Sequence, residues 1–291
     1  MAPIALVLAQ NISGAFMAIG LRKLATIVPK AQFQVLAAVF VCMYVLTLPV
    51  VLAMGNIHLA ALTEHWFLLA LAGVTLTLNP VFFYMGLRYM DAAMGSLMAT
   101  VNIIVAILGA VWLLDERLAV QQVLGAAVVV GAIVYALSVR LSKKQRKHWT
   151  WGAGFTLLSG VFLAISMIIQ KYLLGFMSGE SFVVWGWGMQ TALAVLLALT
   201  FRRSHFKDIF HKRALPHLIG TGLSKAATAG GFIASLIFFR SLSLAIVLAG
   251  LRPLFVSFLG ALILKEHEFL QRKIAASVIA GMGVALMFLN V

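Results

Sequence analysis

The sequence has few charged residues, few acids and almost no cysteine, and each scarcity excludes a class of protein. Only 10% of its 291 residues are charged, whereas soluble globular chains are about 25% charged. The single cysteine, Cys42, excludes a disulfide framework and a cysteine-based metal site. The sequence also lacks a phosphate-binding P-loop and a His-Glu-x-x-His zinc motif, so it supports neither ATP-driven transport nor metalloprotease chemistry. We therefore predict that the protein is not an enzyme and carries no cofactor.

Apolar residues dominate the chain and predict an all-α polytopic membrane protein. The sequence is 63% hydrophobic, with a mean hydropathy of +1.06. The apolar residues form long continuous runs, each sufficient for a helix to cross a hydrocarbon layer of about 30 Å, and they lack the alternation of barrel strands. Ten transmembrane helices are predicted, at 4–21, 32–54, 66–87, 92–114, 120–139, 151–170, 182–201, 217–239, 242–264 and 273–290.

The basic residues predict the orientation in the membrane. The connections that follow odd-numbered helices hold 17 lysines and arginines, and those that follow even-numbered helices hold three. Basic loops remain cytoplasmic, so both termini are predicted to lie outside. The net charge of +14 is explained by these loops facing lipid headgroups, and we expect no nucleic-acid partner.

An internal repeat divides the chain into two five-helix halves. Residues 66–139 align without gaps with residues 216–289 at an offset of 150, and residues 13–19 align with 159–165. The predicted domains are a first repeat at 1–141, a basic cytoplasmic linker at 142–150 and a second repeat at 151–291. Because five is odd, the two copies are predicted to be inverted, and inverted repeats are typical of secondary transporters.

Several segments resemble a known family in their order and spacing. They are 84–93 (Tyr-Met-Gly-Leu-Arg-Tyr-Met-Asp-Ala-Ala), 113–118 (Leu-Leu-Asp-Glu-Arg-Leu), 252–255 (Arg-Pro-Leu-Phe) and 264–266 (Leu-Lys-Glu). With two five-helix repeats, the chain resembles the EamA-type, ten-helix branch of the drug/metabolite transporter superfamily. The resemblance implies secondary transport but not the substrate. Two departures from the family pattern are Asn102-Ile103, where Ser-Pro would be usual, and Arg252 before the second-half proline.

Two cations inside predicted helices are the strongest indication of a binding site. Lys225 lies well inside the eighth helix and Arg252 near the middle of the ninth, whereas all eight acids lie at or near connections. A cation at the bilayer centre costs at least about 2.5–3.5 kcal/mol. From a rise of 1.5 Å per residue, the two depths differ by roughly 6 Å, so the side chains can converge on one anion. Alternatively, Arg252 bonds carbonyls freed by Pro253, and Lys225 snorkels or stays neutral.

Neutral polar residues on other helices complete the predicted site. Backbone breaks near prolines within helices usually face a cavity, so the third, fourth, eighth and ninth helices are expected to surround the transport path. Each residue is as suited to an interhelical hydrogen bond as to a ligand contact. The substrate-binding candidates beside Arg252 and Lys225 are Asn79, Asn102, Tyr84, Gln10, Asn11, Ser13, Gln170, Trp187 and Gln190.

These features predict a secondary carrier of a small organic anion, bearing a carboxylate or phosphate, that works by alternating access. The expected partners are the small-molecule substrate, the lipid bilayer and either protons or a counter-anion, and the expected location is a bacterial cytoplasmic membrane. Two alternatives stay open. The first is a broad exporter of amino acids or neutral metabolites, in which both cations are structural, and the second is a non-transporting membrane scaffold.

Overall fold

The computed structural model describes residues 2–114, 120–137, 143–201, 206–210, 212–239, 242–266 and 270–286, and all regular structure in these ranges is helical. The α-helices are α1 (Ala2–Ile27), α2 (Gln32–Met54), α3 (Ala60–Gly86), α4 (Ala92–Ala99), α5 (Val101–Leu114), α6 (Val120–Leu137), α7 (Lys143–Leu173), α8 (Gly179–Phe182), α9 (Gly188–Thr200), α10 (Phe206–Ile209), α11 (Leu215–Phe239), α12 (Leu242–Ala249), α13 (Arg252–Leu259) and α14 (Leu270–Leu286). Two π-helical turns, Val183–Trp187 and Gly260–Leu264, follow α8 and α13.

Seven helical segments in these ranges are long and apolar enough to cross a membrane. They are Ala5–Ile27, Gln32–Met54, Leu62–Gly86, Ala92–Leu114, Trp149–Leu173, Gly179–Thr200 and Leu215–Phe239, and two shorter apolar helices cover Val123–Tyr135 and Arg252–Leu264. The predicted linker at 142–150 is helical from Lys143 onward, where it forms the start of α7. Residues 141–142, at the boundary of the predicted linker, and residues 115–118 of the segment 113–118 lie outside the described residues.

The predicted fourth and ninth helices are each divided into two shorter helices. The first division is at Thr100, between α4 and α5, and the second is at Gly250–Leu251, between α12 and α13. At the first division, the side-chain hydroxyl of Thr100 donates a hydrogen bond to the backbone carbonyl of Leu97 at 2.5 Å. At the second, Pro253 in the first turn of α13 has no N–H to continue the hydrogen-bond ladder.

The third helix, in contrast, passes through its proline without a break. Pro80 lies inside α3 and cannot donate to the carbonyl of Leu76, four residues earlier. The side-chain amide of Gln190 donates to this carbonyl at 2.8 Å, and Thr77 donates its hydroxyl to the backbone carbonyl of Gln190 at 3.2 Å. A neighbouring helix thus supplies the missing donor at Pro80, and α3 continues through this residue; its backbone departs from helical angles only earlier, at His65.

Helices from the two sequence halves pack against each other rather than forming separate bundles. Helix α1 lies along α11, α3 along α7, α6 along α14, and α2 along α9. The buried centre between them contains Ile103, Met167 and Phe232. As a result, the divisions at Thr100 and Gly250–Leu251 lie in the interior of the protein.

An ionic cluster joins helix ends of both halves on one face of the helical assembly. Arg22 at the end of α1 pairs with Glu266 at 3.0 Å and donates to the carbonyl of Leu87. Glu266 also accepts from the backbone N–H of Ala92 at 3.0 Å. Burial and the nearby charge of Asp91 raise the pKa of the Glu266 carboxyl, and its hydrogen bonds with Arg22 and the Ala92 amide only partly offset this rise.

A second ion pair in the same cluster joins α14 to the start of α4. The ammonium of Lys273, whose side chain is only 2% exposed, lies 2.8 Å from the carboxylate of Asp91. The other oxygen of Asp91 accepts from the amide of Met94 at 2.8 Å and caps α4. The cluster thus connects α1, α4 and α14 on the side where the sequence predicts basic cytoplasmic loops.

Candidate anion-binding cavity

Two adjoining cavities lie in the interior. Measured as space for the centres of water-sized molecules, their volumes are about 70 and 60 Å³, and a single water needs only about 10–15 Å³ by this measure. We call the first the serine lobe, because Ser96, Thr100 and Ser159 line it, and the second the tryptophan lobe, because Trp187 and Phe232 line it. Both lobes are lined by Met17, Asn79, Leu163, Met167, Lys225 and Arg252.

Arg252 lies in this shared lining, at the first residue of α13. Its Nε atom is buried and has no hydrogen-bond partner. Among the residues that the structure describes, no backbone carbonyl or carboxylate binds its guanidinium group, although a guanidinium has five N–H donors. The sequence alternative, in which Arg252 bonds carbonyls freed by Pro253, therefore has no support in the described hydrogen bonds.

The position of Arg252 depends on a missing side chain in α1. Gly14 is buried where the arginine side chain crosses α1, and a Cβ atom at residue 14 would lie 2.9 Å from both Cδ and Cζ of Arg252. Contacts this short require one partner to move. Gly160 aligns with Gly14 in the similar segments 159–165 and 13–19, and a Cβ there would lie 2.7 Å from the carbonyl oxygen of Ala99, beside the α4–α5 division.

Lys225, the second cation, lies in the middle of α11 and lines both lobes. Its ammonium is 6.0 Å from the centroid of the Phe40 ring, at the outer limit of a cation–π contact. No carboxylate in the described ranges forms an ion pair with it. Lys225 and Arg252 thus place two positive charges in the lining of the same internal space.

Two neutral amide side chains, Asn79 and Asn102, also line the cavity. Asn79 on α3 donates its amide to both the carbonyl and the hydroxyl of Ser159, each at 2.9 Å. Asn102 on α5 donates to the sulfur of Met167 at 3.8 Å. These bonds fix the orientation of the two amides toward α7, so both side chains are held in place before any ligand binds.

Three further predicted residues lie in the tryptophan lobe, and they differ in what they bind. The π-helical turn Val183–Trp187 places the Trp187 side chain there, 2% exposed. The side-chain amide of Gln190 donates a hydrogen bond to the carbonyl of Leu76. Gln170 has no hydrogen-bond partner for its side chain among the described residues and is 5% exposed.

The other four predicted residues line neither lobe, and their side chains bind the protein itself. The hydroxyl of Ser235 donates to Gln10 at 3.1 Å, and Asn11 donates to the carbonyl of Val7 at 2.8 Å. Ser13 donates to the carbonyl of Ala9 at 2.6 Å. The fully buried Tyr84 donates to the carbonyl of Val28 at 3.3 Å. Each of these hydrogen bonds lies within a helix or joins two parts of the protein. The structure does not bring these four residues together with the two cations.

Sequence reasoning missed several residues that line or shape the cavity. Ser96, Thr100 and Ser159 line the serine lobe, and Gly14 makes room for Arg252. The equivalence of Gly14 and Gly160 in the aligned segments 13–19 and 159–165 was the available signal.

Comparisons with known proteins agree with this architecture. Residues 1–138 match the EamA-like transporter family, which confirms the resemblance inferred from the segments 84–93 and 113–118; the segments 252–255 and 264–266 lie outside the matched residues. One solved structure, described only as a crystal structure of a protein, is 16% identical and matches with a TM-score of 0.67 over 97% of this chain and 96% of that chain. At this identity the likeness shows the fold alone. None of the curated proteins matches the sequence. The apolar helices, together with the match of residues 1–138 to a family of transporters, indicate an integral membrane protein.

Proposed function

We propose that this protein is a secondary transporter of a small organic anion whose carboxylate or phosphate binds Arg252 and Lys225. The observation that carries the proposal is the pair of cations beside an internal cavity, with no carboxylate partner among the described residues. Burying an unpaired charge is unfavourable, and an anionic ligand removes this cost when it binds. Arginine suits a bidentate oxyanion contact, and lysine adds a compact charge.

Alternating access between two inverted five-helix repeats is the proposed mechanism. The packing pattern supports it, because exchanging the two repeats converts the α1–α11 contact into the α7–α3 contact, and leaves the α6–α14 and α2–α9 contacts in place. The interior divisions support it as well, since Thr100 and Gly250 are separated by the repeat offset of 150. In this mechanism the ligand binds at the interface of the repeats.

Coupling to protons or to a counter-anion follows from the same two charges. Without a ligand, the uncompensated charges oppose occlusion of the cavity, so return of the empty carrier requires either a second anion or loss of a proton from Lys225. The Lys225→Met variant separates these routes. If anion binding and its pH dependence are unchanged in this variant, Lys225 has no part in coupling.

The proposed setting is a bacterial cytoplasmic membrane, with the basic loops inside and both termini outside. Arg22, Glu266 and Lys273 meet in one ionic cluster, which supports placing the first, third and ninth connections on one side. Protease accessibility of a terminal tag in right-side-out vesicles tests this orientation.

Thermal unfolding of the purified full-length protein tests the anion proposal. The ligands are small monocarboxylates and phosphate monoesters, with neutral amides and esters of equal size as controls. At a ligand concentration of about 100 Kd, binding stabilises the protein by roughly 2.7 kcal/mol, which corresponds to a shift of several degrees in Tm.

The Arg252→Gln variant identifies the site that produces this shift. A charge-assisted hydrogen bond contributes about 1.5–3 kcal/mol, so we expect anion affinity to fall by roughly 10- to 150-fold. Arg88, which is exposed and lines neither lobe, provides the matched control Arg88→Gln. Equal stabilisation by neutral and anionic ligands would favour the broad exporter, and absence of both ligand binding and flux in liposomes would favour the scaffold.

A further inference from the structure

Gln170 differs from the other polar side chains around the tryptophan lobe. It lies near the end of α7, is 5% exposed and lines this lobe together with the two cations. Its amide has no hydrogen-bond partner in the described part of the chain, yet neither amide atom is fully enclosed by packed side chains. A buried amide without a partner is unfavourable, so this group remains available to a ligand that enters the lobe.

The neighbouring Gln190 shows the alternative use of the same side chain. Its amide donates to the carbonyl that Pro80 leaves free in α3, and the residue is 1% exposed. Gln190 therefore satisfies a backbone carbonyl of α3, whereas the side chain of Gln170 satisfies no backbone group in the described residues. The two glutamines line one lobe and provide a matched pair for experiments.

Apolar side chains lie in the same lobe as Gln170 and the cations. Trp187, Phe232 and Met167 line this space, and they offer apolar and aromatic surface to a hydrocarbon segment. The lobe thus combines positive charge, an apolar surface and a neutral amide that can both donate and accept.

We infer that Gln170 determines substrate specificity by binding a second polar group on the transported anion. The substrate class is a small organic anion with a hydroxyl, carbonyl or amino group separated from its anionic group by an apolar segment. This inference rests on the proposed function, because Arg252 and Lys225 must hold the anionic end for Gln170 to meet the other end. An anion with no second polar group encloses the amide without giving it a hydrogen-bond partner, and binds more weakly.

Matched ligand pairs test this assignment on the purified full-length protein. The pairs are unbranched saturated monocarboxylates of three to six carbons and their counterparts with a terminal hydroxyl. One additional hydrogen bond corresponds to an affinity gain of about 3- to 10-fold, and we expect this gain at one or more chain lengths. In Gln170→Leu the hydroxy acid loses its advantage, while the plain acid binds as tightly as to wild type or more tightly.

Gln190→Leu is the control, because it alters a glutamine of the same lobe that already has a partner. This variant keeps the preference for the hydroxy acid, although its Tm falls. If plain and hydroxy acids bind wild type equally at every chain length, or if Gln170→Leu keeps the preference, the assignment of Gln170 is wrong. If no carboxylate binds at all, the proposed function fails instead, so the two failures are distinguishable.

Discussion

Replacing Gly14 with alanine tests whether anion binding requires the Arg252 side chain in its observed position beside Gly14. The substitution adds one methyl group on α1 and leaves every charge in place. Because the new Cβ would lie 2.9 Å from Cδ and Cζ of Arg252, the arginine side chain has to move or α1 has to shift away from α13. The first movement displaces the guanidinium from the lining of the two lobes, and the second separates α1 from α13.

The expected loss of anion affinity in Gly14→Ala follows from the free-energy cost of overpacking. Inserting a methyl group into a packed interior costs about 1–3 kcal/mol. If binding of the anion requires the original arginine position, this cost is imposed on the complex, and affinity falls by roughly 5- to 150-fold. In the unbound protein the long arginine side chain is able to adopt another rotamer in the cavity, so we expect a much smaller effect on the free energy of unfolding.

Isothermal titration of a small carboxylate measures the loss, with Gly220→Ala as the control. Gly220 lies on α11, and a Cβ there would meet no atom within 4 Å, so this variant shares the change in helix propensity of up to about 1 kcal/mol without the steric contact. Wild-type affinity is expected for Gly220→Ala.

A double-mutant cycle separates a role in positioning Arg252 from general damage. In an Arg252→Gln background, Gly14→Ala should cause little further loss of anion affinity, because the side chain it displaces is no longer an arginine. Wild-type affinity in Gly14→Ala, or equal losses in both backgrounds, would refute the reasoning.

Three further predictions concern the residues that hold the helices together. Lys273→Met leaves the carboxylate of Asp91 without its partner. Since that carboxylate is 23% exposed, we expect the loss of stability to be at the low end of the usual range of about 3–5 kcal/mol. Thermal unfolding should show that adding Asp91→Asn to Lys273→Met recovers part of this stability. The pKa of Glu266 is raised by burial, so its stabilising effect is full below the unfolded-state pKa and is lost as pH rises through the folded-state pKa; the Tm of wild type relative to Glu266→Gln should therefore rise as pH falls from 7 toward 4, and an opposite trend would contradict this sign. Gln190→Leu should lower stability by about 1–3 kcal/mol, and this loss should shrink when Pro80→Ala restores an N–H to the freed carbonyl.

The sequence predicted the helical class and the two interior cations because both depend on strong, local signals. A continuous apolar run specifies a membrane helix, and a lysine or arginine inside such a run is too costly to occur without a polar surrounding. Lys225 and Arg252 line the same cavity, as their positions on adjacent helices suggested. The family resemblance was also readable, because it depends on the order of motifs along the chain.

The remaining details depend on which atoms meet between helices, and no local pattern encodes that. Gln170 and Gln190 are equivalent in a sequence reading, and only the packing of α9 against α3 shows that Gln190 satisfies the carbonyl freed by Pro80. For the same reason a proline predicted a break in α3 that did not form. Tyr84 resembled a site residue, but its hydroxyl bonds to the end of α1.

The distribution of chemistry around the tryptophan lobe has a stereochemical consequence. The positive charge of Lys225 and Arg252, the unpaired amide of Gln170 on α7 and the indole of Trp187 are three different groups that do not move independently of the helices carrying them. A chiral anion held by its charge, by its second polar group and by its hydrocarbon segment has three points of attachment. Its mirror image can satisfy only two of them at once, so the protein should bind the two enantiomers with different affinity.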